Sequence, residues 1–319
     1  MVEAGDIITL TAGAWRLEAR LTGSSYGQVW RAVSVLDGTP AAVKLVNRDQ
    51  MDLALPPQRA VWRASFDAEI AFLRALQPWD QRHIVRLLDS GEHDGQPALA
   101  LELLDGDLAG HLKSLRSRGA GPGIDQALAW TAQVNAALAK VHQYGWRYLD
   151  LKPANLLVDA RTRALKLADF GTNRQLADRA AHSYAGTAAW QAPEQFFPDD
   201  AGRYRTDARS DYFALGALLY TLVTGVSLRY CAACADAFRT HGTAGALRAR
   251  PPAILAPDEV ALFLGHACAR DPDGLLVLLR ALLAPRLDAR PRHALEISRL
   301  IARAAQGLDS APAALRSAA

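Results

Sequence analysis

Three cysteines in 319 residues are too few for a disulfide framework, and their scarcity fits a reducing cytoplasm. No run of about 18 uncharged apolar residues occurs, so the sequence predicts no membrane-spanning helix. The N-terminus, Met-Val-Glu-Ala-Gly-Asp, lacks the basic-then-apolar pattern of a signal peptide. Net charge is only +3; the arginines are scattered, and no polyanionic partner is demanded. The seven tryptophans are scattered too, which argues against a stacking surface for single-stranded nucleic acid. With membrane and nucleic-acid partners set aside, the expectation is a cytoplasmic globular chain. Half of it is hydrophobic, enough to bury a large core as one bilobal unit or two domains.

What is present is polar chemistry gathered between short apolar runs. Tyr148-Leu149-Asp150-Leu151-Lys152-Pro153-Ala154-Asn155 is followed by Leu167-Ala168-Asp169-Phe170-Gly171. Residues 156–158 and 164–167 read as two short strands joined by a turn over 159–163. That hairpin is expected to place Asp150, Lys152, Asn155 and Asp169 around one cleft. A hard cation such as Mg²⁺ takes oxygen ligands, which Asn155 and Asp169 supply. Asp150 is left to accept a proton from a hydroxyl nucleophile, and Lys152 to neutralise a phosphoryl group in transfer.

The stretch resembles the catalytic and metal-binding loops of eukaryotic-like protein kinases, with H-R-D-L-K-P-x-N standing here at 148–155. The resemblance continues upstream, where residues 15–21, 28–35 and 41–46 read as strands. The first turn, Thr22-Gly23-Ser24-Ser25-Tyr26-Gly27-Gln28-Val29, is similar to the Gly-rich loop whose backbone N–H groups cover ATP phosphates. Thr22 and Ser24 stand where that pattern has its first two glycines, and only Gly27 keeps register. Read without the resemblance, the turn is a hairpin tip of small residues. Lys44 ends the strand Ala41-Ala42-Val43-Lys44 and resembles the V-A-I-K lysine. The resemblance pairs it with Glu69, beside the helical stripe Phe66, Ile70, Leu73 and Leu76. Residues 47–65, broken by Leu55-Pro56-Pro57, read as an insertion. Residues 83–89 and 97–104 complete an expected five-stranded antiparallel sheet. By the resemblance, Leu101 is the gatekeeper, Glu102, Leu103 and Leu104 offer backbone groups to adenine, and Val29, Ala42 and Leu157 add nucleotide contacts. Asp107 reaches the ribose or is a helix N-cap.

Downstream, residues 124–144 carry apolar residues at helical spacing and stop at Gly145. After a polar stretch at 172–185, Gly186-Thr187-Ala188-Ala189-Trp190-Gln191-Ala192-Pro193-Glu194 resembles the close of a protein-kinase activation segment. The resemblance implies that Thr187 bonds around Asp150 and Lys152, an arrangement tied to Ser/Thr specificity. Residues 209–225 are apolar nearly all round after Asp211 and belong in a core. Asp211 is either a plain N-cap or, by the resemblance, the holder of the catalytic-loop backbone. In Pro285-Arg286-Leu287-Asp288-Ala289-Arg290-Pro291 the resemblance pairs Arg290 with Glu194, and it stacks Leu73, Leu87, Tyr148 and Phe170 into a spine.

The likeness covers about residues 15–303, with composition favouring a bacterial source. It implies an α+β bilobal protein-kinase-like fold. Residues 1–104 form an N-lobe of five-stranded antiparallel sheet plus one helix, 105–305 a mainly helical C-lobe, and 306–319 a disordered tail. The implied activity is transfer of the γ-phosphoryl of ATP to a Ser/Thr hydroxyl of a protein substrate, with Mg²⁺ or Mn²⁺ as cofactor. A regulatory partner chain is the expected input. Leu149 stands where many kinases carry the Arg that binds an activation-loop phosphate, and it cannot pair with one. Activity is therefore expected not to depend strictly on phosphate at Ser183, Tyr184 or Thr187. Thr22, Ser24 and Leu149 favour a pseudokinase scaffold instead, but a scaffold has no chemical need for Lys44, Glu69, Asp150, Asn155 and Asp169 together. A small-molecule kinase of the same fold is opposed by the motif at 186–194. Cys231, Cys234, His266 and Cys268 have zinc-ligand spacing, the other reading being small buried residues on helices. His241, near Gly242, is expected in a loop.

Overall fold

An antiparallel sheet in the N-terminal half is built from β1 (Ile7–Thr9), β2 (Ala14–Gly23), β3 (Gly27–Ser34), β4 (Pro40–Val46), β5 (Leu87–His93) and β6 (Gln96–Glu102), with β4 and β6 buried along most of their length. The strand order is β1-β2-β3-β4-β6-β5. The computed structural model describes residues 2–23, 27–178, 187–197, 203–248, 253–267 and 272–306. Five strands are expected from the sequence. The sixth, β1, is a three-residue strand that buries Ile8 between exposed Ile7 and Thr9. Ile8, Trp15, Leu17, Trp30, Ala32, Val43, Leu45 and Ala100 belong to one buried apolar cluster.

Residues 47–65, expected as an insertion, are mostly helical. They hold α1 (Arg48–Leu53) and the start of α2 (Pro56–Ala75), so two helices stand where the sequence suggests one. Pro56 and Pro57 sit in the first turn of α2, where a missing N–H is harmless, and the Leu55 N–H donates to Gln58 Oε1 at 3.1 Å. The prolines start a helix instead of breaking one. The strand expected over 83–89 begins only at Leu87. Buried Ile84 and Val85 turn to Leu167 instead: Val85 N–H donates to the Leu167 carbonyl at 2.9 Å, and Leu167 N–H to the His83 carbonyl at 2.9 Å.

The chain divides into two compact units, Met1–Asp105 with Asp159–Thr162 and Lys166–Asn173, and Gly106–Val158 with Arg163–Leu165 and Arg174–Ala319. The later elements are α3 (Leu108–Ser117), α4 (Ile124–Gln143), β7 (Trp146–Arg147), β8 (Leu156–Asp159), β9 (Ala164–Leu167), β10 (Arg174–Gln175), α5 (Pro193–Phe196), α6 (Ala208–Thr224), α7 (Arg229–Arg248), α8 (Pro257–His266), α9 (Pro272–Leu282) and α10 (Ala294–Gln306). β8 and β9 form one two-stranded sheet, β7 and β10 another.

Every residue of α6 from Ser210 to Thr224 is buried, as its all-round apolar sequence predicts. A Cβ on Gly216 would lie 2.8 Å from Leu282 and 2.9 Å from Leu283, so only glycine allows α6 to approach the end of α9 this closely. No single helix among the described residues is long and apolar enough to cross a membrane. His241, expected in a loop, lies on α7 beside a kink at Gly242. Cys231 and Cys234 are fully buried on the same helix. Among the described residues no group of three or more His, Cys, Asp or Glu is placed to hold a metal; Cys268 lies outside them, as does the tail beyond Gln306.

Candidate active site

The first unit contributes an ion cluster. Lys44 projects from β4 between buried Val43 and Leu45, and its ammonium donates to Glu69 Oε2 and Asp169 Oδ1, each at 2.7 Å. Glu69 lies on the buried stripe of α2 with no solvent exposure, and its other oxygen accepts the Phe170 N–H at 3.1 Å. The helix thereby grips both the lysine and the loop after Asp169. Burial opposes the charge on Lys44, yet the carboxylates of Asp169 and Glu69 overcome it and hold the pKa above the ordinary lysine value. Glu69 pays for its depth: burial pushes its carboxyl up, against the pull of Lys44 and the Phe170 N–H.

Phe66 supports this cluster from below, with the Lys44 ammonium 5.3 Å above its ring. A Cβ on Gly27 would lie 3.2 Å from that ring and 3.2 Å from the Leu45 carbonyl oxygen. A side chain at position 27 would need the ring or that carbonyl to give by a few tenths of an ångström. Phe170 packs against Phe72 at 4.6 Å between centroids, a partner that the sequence reading passes over. Asp169 sits at φ 57°, a left-handed conformation that Asp tolerates better than most residues.

The expected nucleotide residues of this unit lie on neighbouring strands. Ala42 faces Leu101 in register, Val29 faces both Lys44 and Thr22, and Gly23 faces Gln28. Ser24 and Ser25 lie outside the described residues. Glu102 Oε1 accepts from Lys166 Nζ at 2.5 Å and from the Arg86 N–H at 2.8 Å, and the Glu102 N–H donates to the Arg86 carbonyl at 2.9 Å. Leu104 is half-buried.

In the second unit the catalytic-loop residues converge. Asp150 is buried; its Oδ1 accepts the Thr187 N–H at 2.7 Å, and its Oδ2 accepts from Lys152 Nζ at 2.8 Å and Asn155 Nδ2 at 3.0 Å. Lys152 also donates to Thr187 Oγ1 at 2.6 Å. Asn155 Nδ2 reaches the Asp150 carbonyl at 3.0 Å as well, which leaves the carboxamide oxygen as its acceptor. Asp107 caps α3, accepting the Gly110 N–H at 2.7 Å, and its backbone bridges to Leu157. Ser183 and Tyr184 lie outside the described residues.

The loop's backbone is held from behind by Asp211. Its carboxylate accepts the Tyr148 N–H at 2.8 Å, the Leu149 N–H at 2.7 Å and His142 Nε2 at 2.8 Å. Asp211 is therefore more than an N-cap, a place that Asp207 fills at α6. Leu149 is buried at φ 66°, a conformation that costs an L-residue about 1–2 kcal/mol. Arg290 grips Glu194 through two bonds of 2.7 and 2.9 Å.

A family model for the protein kinase domain matches residues 17–247. The chain belongs to the protein kinase family. This kinase is 30% identical over 232 residues to serine/threonine-protein kinase PknL of Mycobacterium tuberculosis, covering 70% of the chain and 54% of that protein. Serine/threonine-protein kinase pkn2 of Myxococcus xanthus is 28% identical over 216 residues, 67% of the chain and 24% of its own length. The DNA damage-responsive serine/threonine-protein kinase RqkA of Deinococcus radiodurans is 29% identical over 312 residues, 94% of the chain and 41% of its own length. The chain thus spans about half the length, or less, of these curated relatives.

Two residues of the kinase's catalytic unit escape sequence reasoning. His142 reads as one more polar position in the last turn of α4, and Gln195 as the residue after Pro193-Glu194. Gln195 Oε1 accepts the Ala192 N–H at 3.0 Å and its Nε2 donates to the Leu149 carbonyl at 3.2 Å. No local pattern marks either partner.

Proposed function

We propose that this kinase transfers the γ-phosphoryl group of ATP to a serine or threonine hydroxyl of a protein. The observation that carries the reading is the hydrogen bonding around Asp150. A carboxylate has about four lone-pair sites, and three donors occupy Asp150 among the described residues. One site remains for the substrate hydroxyl and, with it, the proton lost as oxygen attacks phosphorus. Lys152, tethered between Asp150 and Thr187, sets a positive charge beside that oxygen and steadies the charge of the transferring group. On the other unit, Glu69 and Asp169 fix the Lys44 ammonium, which orients the α- and β-phosphates.

Asn155 and Asp169 supply the metal ligands in this reading. A carboxamide oxygen and a carboxylate that is half exposed are hard donors suited to Mg²⁺, with Mn²⁺ as an alternative, and Mg²⁺ sites on phosphate substrates use few protein ligands. Held by Asn155 and Asp169, a divalent cation would supply charge neutralisation for the phosphates. A protein acceptor, a regulatory partner chain and a cytoplasmic location belong to the same proposal.

Leu149 shapes the regulation. Its side chain is apolar and buried, so it offers no counter-charge to an activation-loop phosphate. Phosphatase-treated and untreated enzyme are expected to turn over at equal rates; a collapse after treatment would refute this part.

The test is incubation with γ-labelled ATP and Mg²⁺, alone and with a generic Ser/Thr acceptor, beside Asp150→Asn and Lys44→Met. Loss of the base should lower the rate on the order of 10²- to 10⁴-fold. Label that survives both substitutions would overturn the assignment. No label from wild type, with ATP still raising thermal stability, would make the chain a nucleotide-binding scaffold.

A further inference from the structure

Asp150 follows a residue whose backbone is in an unfavourable conformation. Leu149, at φ 66°, shares through its carbonyl the peptide plane that leads into Asp150. Rotation of that plane re-aims the Asp150 side chain. The two planes that flank the Leu149 Cα are each held by a buried group. Asp211 Oδ1 accepts the Leu149 N–H of the preceding plane at 2.7 Å, and Gln195 Nε2 donates to the carbonyl of the plane that leads into Asp150 at 3.2 Å. The carboxamide of Gln195 is buried and has both ends engaged. Its oxygen does an ordinary job, accepting the N–H of Ala192 at the start of α5, as an N3 glutamine commonly does. Its nitrogen does something a cap does not require: it reaches 46 residues back along the chain to the catalytic loop.

We infer that Gln195 is a positioning residue for phosphoryl transfer, holding the Leu149 peptide in its left-handed conformation so that Asp150 faces the incoming hydroxyl. The inference rests on the kinase reading above, and its physical content is separable from it. A short helix whose position is fixed by the Arg290–Glu194 pair thereby fixes the base through the next side chain, Gln195. With an uncharged residue at 149, the loop is held by hydrogen bonds to its backbone.

The two jobs of Gln195 can be separated by substitution. Gln195→Glu keeps the size and the acceptor for Ala192, but an ionised carboxylate cannot donate to the Leu149 carbonyl. Gln195→Met removes both bonds. In the full-length protein we would measure kcat, KM for ATP, and amide hydrogen exchange over residues 147–152, with cooperative thermal unfolding confirming that each variant is folded. Both substitutions should lower kcat by about tenfold to a hundredfold, the scale of an ångström-sized misplacement, with KM for ATP within about twofold. Exchange of the Leu149 and Asp150 amides should be at least about tenfold faster in both, because the local opening they report becomes easier. A purely capping glutamine predicts wild-type behaviour for Gln195→Glu, and that result would overturn the inference. So would exchange unchanged from wild type in both variants. If wild type transferred no phosphate, the kinase reading would fall, while the exchange comparison would still decide whether Gln195 holds the loop. If Gln195→Met failed to fold, Gln195→Glu alone would decide.

Discussion

Replacing Arg290 by methionine should be among the most damaging single changes in the second unit. A guanidinium has five N–H donors, and all five are matched. Nε donates to the Ala284 carbonyl at 2.8 Å, Nη1 to Glu194 Oε1 at 2.7 Å and the Arg209 carbonyl at 2.9 Å, and Nη2 to Glu194 Oε2 at 2.9 Å and the Pro285 carbonyl at 3.4 Å. The guanidinium also lies 4.9 Å over the Phe213 ring. The side chain of Arg290 is fully buried and that of Glu194 is 12% exposed, so removing the cation strands a carboxylate with little access to water. Breaking a buried pair in this way costs about 3–5 kcal/mol. At about 2–4 °C per kcal/mol for a unit of this size, Tm should fall by roughly 10 °C. Arg290→Lys keeps the charge but has three donors on one nitrogen, so it should recover less than half of the loss. Urea denaturation of Arg290→Met, Glu194→Gln and the double variant would measure the pair directly. The double variant should cost less than the sum by about 1–3 kcal/mol, because the stranded charge is gone. A loss below about 1 kcal/mol for Arg290→Met would refute the reasoning.

Other outcomes follow from the two clusters. Burial raises the pKa of Glu69 above its ordinary 4.5, so the folded chain holds that proton more tightly than the unfolded one. Stability from this group is fully present below the unfolded value and declines as pH rises through the folded one. Glu69→Gln should flatten that decline, and urea midpoints that keep the wild-type slope as pH rises above the unfolded value would count against it. Asp211→Asn keeps the shape but presents N–H₂ to one of three donors. One buried N–H then goes unmet, at about 1–3 kcal/mol, and kcat should fall with it; an unchanged kcat would show that the catalytic loop holds its own backbone.

Much of the candidate site is legible in the sequence because its parts are local. Asp150, Lys152 and Asn155 lie within six residues, and Glu69 stands beside a helical stripe where the resemblance seeks a partner for Lys44. What the sequence hides is tertiary. Gln195 and His142 matter through bonds to residues 46 and 69 positions away, and no window of neighbours contains them. The prolines at 56 and 57 mislead because the same residue ends one helix and begins another, depending on which side the N–H is needed. The apolar run around Ile84 looks like a strand, yet its burial is satisfied by Leu167, far along the chain. β1 is too short for alternation to register at all.

The burial of α6 bears on how this protein can be handled. The family match ends at residue 247, but Gly216 in the middle of α6 is pressed against Leu282 and Leu283. A recombinant boundary drawn at the end of the match would remove α8, α9 and α10 and open to water the apolar face of α6 that Leu282 and Leu283 cover. Such a fragment should aggregate on expression, however complete its catalytic motifs look on paper.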